Sequence, residues 1–245
     1  MGERPPLTPE IFDKAFADVT ASDWARRVIG DGLPEGVEPY SFITASGLEE
    51  IATTLAACRD STIIDLACGR GGPGLWLARH IGAFLIGVDF SPVGIAQARE
   101  RAARTQPDVP CEFRVAAAAA TGLPDESASG LFCIDAIQLM PDRVAVIREV
   151  ARLLHPGARA VFTTWENPER LPDLAALFQA GGLEVIAVEE RPDWAVRERA
   201  IFERAVADAP LQPDDQSLQD LAEEAARALA GFQTRRRVIG TARKP

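Results

Sequence analysis

Residues 62–91 constrain the chain more than any other stretch. Thr62-Ile63-Ile64-Asp65-Leu66 and Phe84-Leu85-Ile86-Gly87-Val88-Asp89 are short apolar runs, each carrying an aspartate at or near its end. Between them lie Ala67-Cys68-Gly69-Arg70-Gly71-Gly72-Pro73-Gly74 and a helix-like segment to Ile81. Two buried strands joined by a tight turn and a crossover helix form a parallel β-α-β unit. Glycines 69, 71, 72 and 74 let the backbone approach a ligand without a Cβ in the way. The helix that follows points its first N–H groups at the same place. Such a turn serves either a dinucleotide or another nucleoside-containing cofactor, since Gly69-Arg70-Gly71-Gly72-Pro73-Gly74 satisfies the weak GxGxxG pattern.

Position 65 separates these readings. A carboxylate at the strand end assists a cationic amino group and repels a pyrophosphate, and Asp89 is placed to accept both hydroxyls of an adenosine ribose. The wider chain agrees with a soluble α/β protein. Its 245 residues suffice for one large domain with a small appendage, and 47% apolar residues can fill a core. The net charge of −10 argues against binding a phosphate backbone. The basic run Arg235-Arg236-Arg237 is read as a solvated flank of a strand. No segment has the length and apolarity of a membrane span or of a signal-peptide core. Cysteines 58, 68, 111 and 133 form no CxxC pair, which suits free thiols in a reducing, cytoplasmic setting. With only two histidines, His80 and His155, neither near the expected pocket, no metal site is expected.

Asp65-Leu66-Ala67-Cys68-Gly69-Arg70-Gly71, followed by Asp89-Phe90-Ser91, resembles the first two cofactor motifs of the class I S-adenosylmethionine (SAM) dependent methyltransferases. Ala67 stands where that family most often has glycine. The likeness extends over roughly residues 40–190 and the last strand, and is greatest to bacterial small-molecule methyltransferases of natural-product pathways. It implies a Rossmann-like sheet of seven strands in the order 3-2-1-4-5-7-6, with helices on both faces. It also implies a helical segment over the cofactor site at 1–45 and a core at 46–191 and 232–245, while the helical patterns inserted at 192–231 suit a lid over the pocket or, equally, a packed side layer.

The same resemblance implies a cofactor, SAM, and a set of residues to hold it: Asp65, Ala67, Gly69, Gly71, Asp89, Phe90, Ala117, Ala118 and Asp135. The family's acid after the third strand is missing from Ala116-Ala117-Ala118-Ala119-Ala120, so backbone groups of Ala117 and Ala118 would read the adenine. Phe12, Phe16, Tyr40, Leu139, Trp165 and Trp194 are candidate acceptor-lining residues. Leu139 occupies a position where many small-molecule members carry histidine. Glu166 and Asp135 are the remaining candidates for a general base. The implied reaction moves a methyl group from SAM to an oxygen, nitrogen or carbon nucleophile of a small organic acceptor in secondary metabolism, by a monomer or homodimer without nucleic acid or membrane partners. The alternatives are an NAD(P)-dependent oxidoreductase and a SAM-binding protein that uses the cofactor for other chemistry, such as cyclisation.

Local signals place the remaining elements. Ser46, with Glu49 three residues on, predicts a helix start, and His155-Pro156-Gly157 predicts a break after a helix over 143–154. Two helical patterns, 194–209 and 218–229, fall between the last two strands.

Overall fold

The computed structural model describes residues 8–37, 41–167 and 173–245, the side chains of Thr20 and Ala21 excepted. Among the described residues seven strands form one sheet: β1 (Thr62–Leu66), β2 (Phe84–Asp89), β3 (Cys111–Val115), β4 (Ala128–Ile134), β5 (Leu154–Glu166), β6 (Glu184–Glu190) and β7 (Arg236–Arg243). Their spatial order is β3-β2-β1-β4-β5-β7-β6, as the resemblance implies. Strands β1 to β5 pair in parallel, and β7 runs antiparallel to both β5 and β6.

Strand alternation divides the apolar residues between two faces. Ile64, Leu66, Leu131, Cys133 and Phe162 pack on one side, beneath α6 (Arg143–Leu153) and α7 (Leu174–Ala180). Ile63, Leu85, Phe132, Val161 and Ile239 pack on the other, with α3 (Ala45–Leu55), α4 (Gly72–Ile81) and α5 (Pro92–Thr105). A sheet covered on both faces needs such continuous apolar runs, and each fully buried Leu, Ile or Phe is worth roughly 1.5–3 kcal/mol relative to exposure.

A third apolar cluster lies outside the sheet. Val19, Trp24, Ala25 and Ile29 of α1 (Pro9–Ala21), α2 (Asp23–Val28) and the turn after it meet Ile201, Ala205 and Leu218 of α8 (Pro192–Asp208) and α9 (Gln216–Leu229). Trp24 Nε1 donates to Asp208 at 2.9 Å, and Ser22 Oγ donates to Asp215 at 2.7 Å. The helices between β6 and β7 are therefore packed with α1 and α2 as one helical layer.

Three local expectations need correction. The cap of α3 is Thr44, whose hydroxyl accepts from the Gly47 N–H at 3.0 Å, while Ser46 lies inside the helix. The helix before His155-Pro156-Gly157 does end, at Leu153, but the run is not a loop ahead of a strand at Arg159: it lies within the long strand β5, which begins at Leu154. There the register with β4 shifts, Gly157 takes a left-handed φ of 79°, and its N–H is still satisfied by the Lys244 carbonyl. The run Arg235-Arg236-Arg237 is not a solvated flank, because β7 is an interior strand and alternation turns Arg237 into the core at 1% exposure.

Candidate active site

The turn after β1 is built from left-handed residues. Ala67, Gly69 and Gly71 have φ of 61°, 50° and 74°. Ala67 thus holds the conformation that glycine adopts without strain, which accounts for glycine being usual there in the resembling family. A methyl in place of the Gly71 hydrogen would lie 3.0 Å from the Ala98 Cβ and from the Phe113 ring, so this turn is pressed against α5 and β3. At Gly74, in the first turn of α4, a Cβ would collide with the Asp65 carboxylate. Arg101, nearly buried, ties the turn to the chain before the sheet by donating to the carbonyls of Arg70 and Gly36.

Asp65 and Asp89 converge on this turn. Asp65 is 3% exposed; burial pushes its carboxyl well above the ordinary range, the negative Asp89 adds to the rise, and a hydrogen bond from the Gly74 N–H opposes it. Burial likewise raises Asp89, against N–H groups that favour its ionised form. Asp89 accepts from the Gly69 N–H and the Ser91 N–H, both at 2.8 Å. The Gly71 N–H donates to the Cys68 carbonyl at 2.9 Å. Three N–H groups that a dinucleotide turn would offer to a pyrophosphate are therefore engaged, two of them by carboxylates. Two desolvated acids side by side instead favour a ligand that brings positive charge and hydroxyl donors.

Helix α1 roofs this edge. The Asp13 carboxylate accepts from Ser91 Oγ and from the Val93 N–H at the start of α5. Phe12 meets Phe90 edge-on at 5.3 Å between ring centroids. The Phe16 ring lies over Gly69, 3.1 Å from where a Cβ would stand. Phe12 and Phe16, expected along the acceptor, thus sit above the turn after β1 and the end of β2. Ala117 and Ala118 lie in a tight turn past β3, in which the Ala117 carbonyl accepts from the Ala120 N–H at 3.0 Å.

The carboxyl ends of β4 and β5 gather a second group. Asp135, with φ of 53°, accepts from Thr163 Oγ1 at 2.8 Å, Arg237 Nη2 at 2.6 Å and the Phe42 N–H at 3.1 Å. Glu166, almost fully buried, accepts from the Leu174 N–H at 2.7 Å and from Arg236 Nη2 at 2.9 Å. Gln138 donates to the Asp135 carbonyl and accepts from Thr164 Oγ1, which fixes the 3-10 turn Ile137–Leu139 against β5 and leaves Leu139 half-buried. Trp165 carries the Arg235 guanidinium 4.3 Å from its ring centroid. Trp194 is enclosed in the core near Gly47 and Arg237. Tyr40 lies outside the described residues.

Glu198 and Arg237 are two buried charges that sequence reasoning missed. A signal existed: Glu198 falls on the apolar stripe of α8 formed by Trp194, Ile201, Phe202 and Ala205, where a solvated glutamate has no place. Among the described residues no cluster of three or more His, Cys, Asp or Glu side chains could hold a metal ion, and no helix is long and apolar enough to cross a membrane.

Comparison with known proteins agrees with this geometry. Residues 63–157 match the family model described as a methyltransferase domain. The methyltransferase GfsG of Streptomyces halstedii is 31% identical over 148 residues, which cover 60% of this chain and 53% of that protein. The 27-O-demethylrifamycin SV methyltransferase of Amycolatopsis mediterranei is 27% identical over 177 residues, covering 71% and 65%. The chain thus spans about half to two thirds of the length of these relatives. Among solved structures, the [4+2]-cyclase SpnF superposes with a TM-score of 0.76 at 18% identity, over 98% of this chain and 97% of that one. Sheet order, turn and sequence match together identify the fold as that of the class I SAM-dependent methyltransferases, with bacterial methyltransferases among its relatives.

Proposed function

We propose that the chain binds SAM at the turn between β1 and α4 and transfers its methyl group to a small organic acceptor at the carboxyl ends of β4 and β5. The observation that carries this reading is the engagement of the turn's N–H groups by Asp65 and Asp89, which equips the site for a cation and a ribose rather than for a pyrophosphate. Asp65 would face the ammonium of the cofactor, Asp89 the ribose hydroxyls, and the backbone of Ala117 and Ala118 the adenine. The turn residues Ala67, Gly69 and Gly71 would admit the amino-acid portion, and Phe90, beneath Phe12, would cover the nucleoside. When bound, the sulfonium supplies an activated methyl: its S–CH3 bond breaks as the bond to the acceptor forms, and S-adenosylhomocysteine leaves.

The chain's own contribution is placement and exclusion of water. Helices α1, α8 and α9 would enclose the reactants, the latter two in the role of a lid. Asp135 and Glu166, the two candidate bases, already accept from an arginine and from at least one further donor each. These contacts occupy the carboxylate oxygens and aim both side chains at structural partners, which leaves neither free to take a proton from an acceptor. This supports an acceptor that is acidic by itself, a neutral amine or a carbon nucleophile, whose proton is released to solvent. The rifamycin-directed relative supports secondary metabolism as the setting. A second reading, SAM held for a cyclisation, is favoured by the same engagement of the bases and by the fold likeness to a [4+2]-cyclase.

Titration calorimetry with SAM and with NADH tests the cofactor: SAM binding without NADH binding is expected, and the reverse refutes the proposal. Release of S-adenosylhomocysteine with a panel of phenols, amines and enolisable esters tests the transfer. Cofactor binding with no release from any of them would favour the cyclisation reading.

A further inference from the structure

Four charged side chains run in series along the inner face of α8, the middle two of them fully buried. Arg237 donates from Nη2 to Asp135 at 2.6 Å and from Nη1 to Glu198 at 3.1 Å, and Arg235 Nη2 lies 2.6 Å from the other Glu198 oxygen. Glu198 is 0% exposed and Arg237 1%. The series is electrically balanced, with two guanidinium groups against two carboxylates. Its ends are informative. At one, the Arg235 guanidinium lies over the Trp165 ring, with Phe202 and Phe232 within 5.8 Å. At the other, Asp135 holds the Phe42 N–H, at the point where the chain enters α3. The series therefore joins α8, the start of β7, the exits of β4 and β5 and the approach to α3.

Stability alone is a weak reason for such an arrangement. Apolar side chains of similar volume often replace a buried ion cluster at no loss, whereas removing one member leaves a charge without compensation. The same space lies between Trp194 and Phe202, where α8 is otherwise apolar. What the charges add is direction, since guanidinium and carboxylate planes fix one another's orientation in a way that apolar contacts do not.

We propose that Glu198 is a positioning residue for the acceptor: through Arg235 it sets the plane of the Trp165 ring, and through Arg237 it holds Asp135 and the Phe42 backbone, so that α8 and the sheet edge close on the acceptor in one arrangement. This rests on the placement of the acceptor at β4 and β5 proposed above. Glu198 is paired with Arg235 and Arg237, and acts on Trp165 and Asp135 through them.

The test is Glu198→Gln in the full chain, which keeps the shape and removes the charge. Expected are displaced NMR resonances of the Trp165 indole N–H and the Phe42 amide, with SAM affinity unchanged. For a panel acceptor methylated by the wild type, the acceptor KM should rise about tenfold or more, a loss of about 1.4 kcal/mol in binding, with kcat maintained. Resonances that stay in place, or displaced resonances with an unchanged acceptor KM, would overturn the proposal. If Glu198→Gln does not fold, Arg235→Lys decides, because it keeps the charge facing Glu198 and loses the planar stack. The Trp165 indole N–H should then be displaced and the acceptor KM raised, while the Phe42 amide, held through Arg237 and Asp135, stays in place; an unchanged acceptor KM overturns the proposal. Should the wild type methylate nothing, the functional reading falls, while the resonances still report on the positioning role.

Discussion

Asp89→Ala is the most direct test of the donor site. The carboxylate is expected to accept two hydroxyls of the ribose, and hydrogen bonds to a charged group contribute about 1.5–3 kcal/mol. Taking that range for the pair, SAM affinity should fall by about 10- to 150-fold. The same carboxylate also holds the free turn, through the Gly69 and Ser91 N–H groups. Its loss leaves those donors without their acceptor, at about 1–3 kcal/mol for a buried group, and removes a desolvated charge beside Asp65. The two effects oppose each other, so the thermal midpoint of the free protein should move less than SAM affinity does.

Asp89→Ala should also alter the pH dependence in a definite direction. Asp65 is raised by burial first and by the Asp89 charge second. Below that raised pKa Asp65 is protonated and offers no charge to the ammonium, so SAM binding weakens as pH falls through it. Removing Asp89 removes one cause of the rise, and the midpoint should shift to lower pH. For stability the sign is reversed. A carboxyl raised on folding stabilises the protein fully below its unfolded pKa, near 3.9, and that contribution is lost as pH rises through the folded pKa. Calorimetric titration with SAM across the acid range, alongside thermal unfolding, reads both. Unchanged affinity at neutral pH, or a binding midpoint that moves upward, would refute the assignment of these two acids.

Three further variants test the surrounding structure. Gly74→Ala places a methyl against the Asp65 carboxylate, and should cost about 1–3 kcal/mol in urea unfolding together with most of the SAM affinity. Ala67→Gly relieves a left-handed alanine and should stabilise the protein by about 0.5–1 kcal/mol once the greater freedom of the unfolded glycine is subtracted, read as a higher thermal midpoint. Glu166→Gln should lower stability, because Arg236 loses its counter-charge, while methyl release stays within a few-fold of wild type; a fall of about 10²-fold or more at retained stability would restore Glu166 as a general base.

Legibility from sequence divides along physical lines. The β-α-β unit was readable because three local signals coincide there: two apolar runs of strand length, left-handed glycines between them, and an acid in or at the end of each run. None of these depends on a distant partner. The cap at Thr44 is not singled out by sequence because neighbouring hydroxyls compete for one helix start, and the early start of β5 at Leu154 is not, because a His-Pro-Gly run that ends a helix says nothing of the pairing that draws it into the sheet. The larger gap lies at the acceptor side. Arg235-Arg236-Arg237 looks solvated in isolation, and its burial follows only once β7 is an interior strand with Glu198 above it and Glu166 beside it. Phe12 and Phe16 were legible as the apolar face of a helix, while their seat above Gly69 and Phe90 required Asp13 to fasten α1 onto α5, a pairing across 78 residues that no periodicity announces. The donor motif is local and can be read from one segment of the chain. The proposed acceptor side is assembled from five segments whose charges have meaning only against one another, which is why the sequence points to a donor more openly than to an acceptor.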